Sequence, residues 1–431
     1  METTSRYLGD LTPTGETVHF RAAAPDGLHP DAKKKLTDAD LEIVDDPATA
    51  QALIIRSKTK LLLPEAFATR PDLMYVARAG VGVDNIDMRQ ASEAGVATIN
   101  TPGESTRPVA QRVLAFILAW SARIREGTEA LRDGTWPKGD KNVEPIDLTE
   151  KTLGIIGYGR IGEETARIAG PLFGKTVYTD KRNIPGAIPL EELLRQSDVV
   201  SMNVSGKDPV LTRDLLKKFL RDNALVVNTA RATVIDLDAL LEQMNSRGVS
   251  AALDVYPNEG KPEMFRRASA DASEETTTAK IAKHPHFLGT PHTAASDQVT
   301  QKRLGFEAAD RIVEFAHFGT INPGNLPGHT LPAITLEKPK ADGNGNGNHT
   351  PPRSRVVTLH RSVKGASRRL DGIMAEHDVN IAQSTNAEGP HKLAMTLQDI
   401  DEVRTEVLIQ ILGALNEDPD VIKRRIMMFS A

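Results

Sequence analysis

KTLGIIGYGRIGEETARIAGPLFGKTVYTD, residues 151–180, places two strands and a helix around one glycine-rich turn. The apolar run Thr152–Ile156 predicts a strand, Arg160–Ala169 an amphipathic helix, and Thr176–Thr179 a second strand ending on Asp180. Between the first two elements lies Gly157-Tyr-Gly159-Arg160-Ile161-Gly162. Gly157 permits the tight strand-to-helix turn, Gly159 lets backbone approach a pyrophosphate, and Gly162 lets helix and strand pack closely. The helix start offers N–H groups and the positive end of its dipole to phosphates. Asp180, 18 residues past Gly162, can accept hydrogen bonds from an adenosine ribose. Glycines alone also make ordinary turns. Strand before, helix after and an acid at the next strand end together indicate a dinucleotide site. The carboxylate favours NAD, since it would repel a 2′-phosphate. Lys181 and Arg182 keep two further readings open, cations that hold NADP or solvated loop charges.

The chain has 431 residues, enough for two or three domains, each with its own core. With 39% hydrophobic and 26% charged residues it has the balance of a globular protein. A net charge of −5 gives no electrostatic reason to bind nucleic acid or an anionic membrane. The absence of cysteine excludes disulfides, thiolate catalysis and cysteine zinc sites. The first residues, METTSRYLGD, lack a secretory pattern, and the apolar run Val113–Trp120 is too short to span a bilayer. The expectation is a soluble, cytoplasmic protein.

Residues 20–107 alternate short apolar strands (Leu41–Val44, Ala52–Ile55, Met74–Ala77) with helical stretches, the pattern of a largely parallel α/β layer. Ile55-Arg56-Ser57-Lys58-Thr-Lys60 closes one strand with cations. Arg78-Ala-Gly80-Val81-Gly82-Val-Asp84-Asn85 follows another. It is either a loop presenting N–H groups to an anion or a tight structural turn with Arg78 in solvent. After Asn100-Thr-Pro-Gly103 and Pro108, the stretch from Val109 to Ile124 predicts a buried helix joining two lobes. A second helix is expected over Arg311–Phe318. Strand ends near Asn203, Asn228, Val255 and Phe287 leave Arg231, Glu259 and His292 just past the carboxyl ends of strands, where open α/β sheets bind ligands.

Those three side chains suit one chemistry. Reducing a 2-keto acid with a nicotinamide leaves an alkoxide that must take a proton, and histidine is the natural donor near neutral pH. A carboxylate beside it favours the imidazolium, and an arginine grips the substrate carboxylate with two parallel bonds. His284 and His286 suggest a metal with His292, but Pro285 and Pro291 constrain the backbone and no acid is interleaved, so none is expected. The Gly-Asn-rich segment 337–352 reads as a flexible linker. Beyond it, Arg355–His360, Ala366–Glu376, Val379–Ser384, Lys392–Gln398, Glu402–Leu415 and Val421–Phe429 predict a separate ferredoxin-like β-α-β-β-α-β module with an edge or face open to a second copy.

Over nearly the whole chain the sequence resembles the D-2-hydroxyacid dehydrogenase family, most closely its phosphoglycerate dehydrogenase branch with a C-terminal ACT domain. The matches are IRSKTK, ARAGVGVDNID, NTPG, LGIIGYGRIG, VVNTARATVID, ALDVYPNEG and LGTPHTAAS, in the family's order. The resemblance implies a Rossmann-type NAD domain (108–296) inserted in a flavodoxin-like substrate lobe (1–107 and 297–336), then the linker and an ACT-like domain (353–431). It implies Arg231, Glu259 and His292 as catalytic residues, and Thr229, Ala230, Asp254, Ala294 and Ala295 beside the glycine loop as cofactor contacts. Arg56, Ser57, Arg78, Gly80, Val81, Gly82 and Asn100 match substrate positions. His360, Ser362 and Asn380 match positions for an L-serine effector at an ACT–ACT interface.

The reaction implied is NAD-dependent oxidation of a phosphorylated 2-hydroxy acid, 3-phospho-D-glycerate, as the first step of serine synthesis, by a homodimer or homotetramer. The alternatives are an unphosphorylated D-2-hydroxy acid as substrate, or an NAD-sensing protein without turnover. The chain departs from the family pattern at Ala232, Ala294 and Ala295, where glycines are usual, and at Gly260 and Lys364, where proline is usual. Asn203-Val-Ser205 stands for His-x-Pro, and Gln111 for Glu.

Overall fold

Short runs of Val, Leu, Ile and Ala bounded by polar turns assemble into three sheets. A computed structural model describes residues 7–206, 208–261, 264, 275–322, 330–336, 354–401 and 403–429. It divides into two units, Ser105–Thr300 and the rest of the described chain. The linker expected over 337–352 lies outside the described residues.

In Ser105–Thr300 six parallel strands lie in the order Phe287–Gly289, Ser250–Leu253, Leu225–Asn228, Val199–Met202, Thr152–Ile156, Lys175–Thr179. The central strands are buried residue for residue, as a parallel sheet covered on both faces requires. One face packs on Val113, Phe116, Ile117 and Trp120 of the helix Thr106–Ser121; the other packs on Leu193, Leu216, Leu240 and Met244. Each such side chain, fully buried, stabilises the fold by about 1.5–3 kcal/mol relative to exposure. The sequence pattern carries this first helix to Ile124, but the structure ends it at Ser121. Arg123 takes a left-handed backbone (φ 53°), and a second helix, Ile124–Arg132, starts afresh. Strand order reverses between Thr152–Ile156 and Val199–Met202, so Gly157 and Asn203 flank the crevice at that reversal.

The other unit holds two sheets. One is parallel, in the order Glu42–Ile43, Arg21–Ala23, Ala52–Ile55, Tyr75–Arg78, Ala97–Asn100. The helix Gln298–Phe318 packs on it through Ala308, Ile312 and Phe315, and begins 13 residues earlier than the sequence pattern suggests. The second sheet is antiparallel, in the order Ile381–Glu388, Leu393–Ile400, Ser354–Arg361, Val421–Phe429, Tyr7–Leu11, Thr17–Val18.

The β-α-β-β-α-β order of the C-terminal segment is present, with helices Ala366–Glu376 and Thr405–Glu417. Two N-terminal strands extend its sheet, and the sequence reading does not contain them. That reading also treats residues 353–431 as a separate module. Instead, Val357, Leu359, Met395, Leu397 and Met427 enter one core with Phe20, Tyr75 and Phe315 of the lobe. Only the opposite sheet face packs on the module's own helices, through Val356, Leu370, Met374, Leu408 and Ile411.

Candidate active site

In the unit Ser105–Thr300, Gly157 has φ +89°, and a Cβ there would fall 2.7 Å from the Asn203 carbonyl oxygen. A Cβ on Gly162 would fall 2.1 Å from the carbonyl oxygen of Gly157, so helix and turn touch backbone to backbone. Gly159 caps the helix Arg160–Ala169 with no side-chain hydrogen bond, and a Cβ there would meet nothing within 4 Å. The Thr229 hydroxyl and the Asn203 side-chain oxygen lie at neighbouring strand ends, shielded from solvent and without a hydrogen-bond partner. An open glycine cradle, an uncapped helix start with Arg160 and Ile161, and orphaned polar atoms fit a dinucleotide.

Asp180 is nearly buried and fully engaged. Its oxygens accept from the Tyr158 amide (2.8 Å), the Arg182 amide (2.9 Å) and the Arg182 guanidinium (2.9 and 3.1 Å). Arg182, and then the two amides, hold its carboxyl well below the usual range against the opposing effect of burial. Arg182, which the sequence leaves open as a cation for NADP or a solvated loop charge, is the carboxylate's direct partner.

The turn bearing Arg231 is built by buried Asn228. Its side chain accepts from the Ala230 amide (3.0 Å) and donates to the Arg231 carbonyl (2.8 Å). Arg231 Nη1 donates to the Ala230 carbonyl at 2.7 Å. Asp254, fully buried, accepts from the Thr290 hydroxyl (2.5 Å) and from the amides of Thr293 (3.0 Å) and Ala294 (3.2 Å). Those bonds fix the loop Thr290–Ala295 on both sides of His292. His292 has φ 53°, a left-handed backbone that costs a non-glycine residue energy and that clusters at functional sites.

His292 Nδ1 lies 2.7 Å from Glu259 Oε2, and Glu259 Oε1 accepts from the Tyr256 amide at 2.9 Å. The bond to Glu259 raises the His292 pKa above the ordinary histidine value, more than burial lowers it. Burial pushes Glu259 upward, but the bonds from His292 and Tyr256 and the charges of His292 and Arg231 bring it below the ordinary glutamate value. Asn228 and Thr290 are supports that sequence reasoning missed. A polar residue closing an otherwise apolar strand, Val226-Val227-Asn228, was the available signal for the first.

In the other unit, Arg56 and Ser57 begin the loop after Ala52–Ile55, and Arg78 closes the adjacent strand, in register with Ile55. Arg78 Nη1 donates to the Ala79 carbonyl (2.9 Å), and a Cβ on Gly80 (φ +135°) would fall 1.5 Å from that nitrogen. The φ of Gly80 suits glycine, and a side chain there would displace the guanidinium from this position. Asn100 Nδ2 donates to the Val81 carbonyl (2.6 Å) ahead of Gly82, while its Oδ1 is buried without a partner.

His360 is buried, with Nε2 2.9 Å from the Thr396 hydroxyl and Nδ1 3.0 Å from the Arg361 carbonyl. Ser362 donates its amide to the Lys392 carbonyl (2.8 Å), and Asn380 Nδ2 donates to Asp401 (2.7 Å). Among the described residues no three His, Cys, Asp or Glu side chains are grouped to hold a metal, and no helix is long and apolar enough to cross a membrane.

Comparison with known proteins agrees with this geometry. The family signature described as "D-isomer specific 2-hydroxyacid dehydrogenase, NAD binding domain" matches residues 114–294. A hydroxypyruvate reductase of Thermotoga maritima is 34% identical over 269 residues, covering 60% of this chain and 83% of that protein. A D-3-phosphoglycerate dehydrogenase of Haemophilus influenzae is 29% identical over 435 residues, covering 96% of each. The crystal structure of the TT0316 protein of Thermus thermophilus superposes with a TM-score of 0.59 at 27% identity, covering 68% of this chain and 96% of that one. With its glycine cradle and its His–Glu pair, the chain belongs to the D-isomer specific 2-hydroxyacid dehydrogenases and is an NAD-dependent enzyme of that family.

Proposed function

We propose that the enzyme oxidises 3-phospho-D-glycerate to 3-phosphohydroxypyruvate, the first step of L-serine synthesis. The observation that carries the chemistry is the 2.7 Å contact between His292 Nδ1 and Glu259. With Nδ1–H given to the carboxylate, Nε2 is left to take the proton of the substrate's 2-hydroxyl. The raised pKa means that the resulting imidazolium is stabilised, and in the reverse direction the same nitrogen returns the proton. NAD, when bound, supplies the hydride acceptor. Arg231 binds the substrate carboxylate, and Asp254 keeps the histidine loop in place.

The phosphate is assigned to Arg56 and Arg78, two cations at the carboxyl ends of neighbouring parallel strands. The near full-length similarity to a D-3-phosphoglycerate dehydrogenase supports that choice. A second reading, reduction of hydroxypyruvate, draws on the relative with 34% identity.

A homodimer is proposed through the exposed apolar side chains Ile124, Leu131 and Trp136, the last 78% exposed. L-Serine is the proposed effector beside Ser362 and Asn380, with His360 as the buried wall. A phosphorylated metabolite and an NAD pool make the cytoplasm the proposed compartment.

The test is His292→Asn. It should abolish NADH oxidation with 3-phosphohydroxypyruvate while NADH still quenches protein fluorescence. Turnover surviving in that variant would remove His292 from the mechanism.

A further inference from the structure

The loop that carries Arg56 turns its own polar backbone inward. One oxygen of Asp26 accepts from the Arg56 amide (2.6 Å) and the other from the Thr59 hydroxyl (2.6 Å). The Thr59 amide lies within reach of both, at 3.0 and 3.2 Å. From the other side, Asn85 Nδ2 donates to the carbonyls of Arg56 (2.7 Å) and Thr59 (2.8 Å), and Asn85 is buried. Asn85 belongs to the turn that begins at Arg78. Its carbonyl accepts from the Leu61 amide (2.8 Å), and the Leu61 carbonyl accepts from Asp87 (2.7 Å). One residue therefore ties the two arginine-bearing loops together, and Asp26 ties them to the end of the Arg21–Ala23 strand. The location is informative. Strand order in this sheet reverses between Arg21–Ala23 and Ala52–Ile55, which is where open α/β sheets place ligands.

We infer that Asp26 and Asn85 are positioning residues that hold Arg56 and Arg78 as one phosphate-recognition unit without touching the substrate. The inference rests on the reading that these two arginines meet the substrate phosphate. The amides of Arg56 and Thr59 are already taken by Asp26, so neither is available to the anion, and Arg56 meets it with its side chain. An acid next to a phosphate site is electrostatically unfavourable. Asp26 is kept for geometry, where its oxygens serve three donors, and those bonds outweigh burial to hold its carboxyl below the ordinary aspartate value.

That opposition gives the test its sign. If Asp26 acted only as a charge, Asp26→Asn would lower the KM for a phosphorylated acceptor; as a positioning residue, it should raise that KM. The full-length variants Asp26→Asn, Asn85→Ala and the milder Thr59→Val would be assayed with NADH. The acceptors are 3-phosphohydroxypyruvate and hydroxypyruvate, with thermal melts of each variant. In the first two variants, KM for the phosphorylated acceptor should rise about tenfold, the scale of one charged hydrogen bond lost. Thr59→Val should shift it less, in the same direction. The ratio of the two KM values should change while kcat stays within about twofold, the mark of binding lost equally in ground and transition states.

An unchanged or lowered KM would overturn the inference. So would an equal loss of kcat on both acceptors with a lower melting temperature, which marks a purely structural role. Arg56→Ala separates the phosphate reading from the positioning role. If it leaves the preference for the phosphorylated acceptor intact, the phosphate reading itself is wrong. If it removes that preference while Asp26→Asn and Asn85→Ala keep it, the positioning role alone is wrong.

Discussion

His292 and Glu259 shift each other in opposite directions, upward for the imidazole and downward for the carboxyl. Keto-acid reduction needs the imidazolium, so its rate should persist above the ordinary histidine range and fall as pH rises through the raised pKa. Glu259→Gln removes the main cause of the shift, and kcat/KM for reduction should lose its alkaline limb at lower pH than in the native enzyme. An unmoved limb would assign it to another group. The same sign governs stability. The His292 contribution is fully present below its unfolded pKa and lost as pH rises through the folded one, so the Glu259→Gln stability deficit should shrink at alkaline pH. The sequence points to the three side chains proposed to react because each follows a strand end and suits its proposed chemistry. It did not show what orients them. Asp254 holds the Thr293 and Ala294 amides across a long stretch of chain. The left-handed backbone of His292 and the short-range clamp of Asn228 on Ala230 and Arg231 are backbone conformations that residue type alone does not display.

At the level of elements, the glycine turn was legible because its constraint is local. Gly157 combines φ +89° with a close carbonyl, so Gly157→Ala should cost about 1–3 kcal/mol of stability. It should also weaken NADH binding, read by chemical denaturation and fluorescence titration. Full retention of both would show that the turn can relax around a Cβ. The strand Tyr7–Leu11 was not legible. It has five residues with Asp10 among them, and its partner is Val421–Phe429, more than four hundred positions away. Helix ends are likewise weakly marked in the sequence. Apolar spacing continues through Arg123, and only the structure shows the backbone turning there.

Across the whole molecule, two buried arginines join the C-terminal sheet to the lobe. Arg425 pairs with Asp10 at 2.6 Å and donates to the carbonyls of Phe315 and Ala316. Arg355 pairs with Asp399 at 2.6 Å and donates to the Phe318 carbonyl. Both cations therefore satisfy the last turn of the helix Gln298–Phe318, where orphan carbonyls and the negative dipole end attract positive charge. Asp10→Ala leaves Arg425 buried without its counter-charge and should cost about 3–5 kcal/mol in urea unfolding. Asp10→Ala combined with Arg425→Met should recover part of that loss; no recovery would mean that the arginine acts mainly through the helix carbonyls. Removing the segment from residue 354 onward should expose Phe315 and Tyr75 and leave the lobe aggregation-prone. A sequence reader sees a linker and an independent module, because a shared core is a property of sheet faces in space.

The most direct test of the whole account follows NADH absorbance as the unaltered enzyme is offered 3-phosphohydroxypyruvate, hydroxypyruvate and pyruvate in parallel. Fast oxidation with the phosphorylated acceptor and a far smaller kcat/KM with the other two is the predicted result. Equal or better turnover of hydroxypyruvate would contradict the proposed substrate and reduce Arg56 and Arg78 to structural charges.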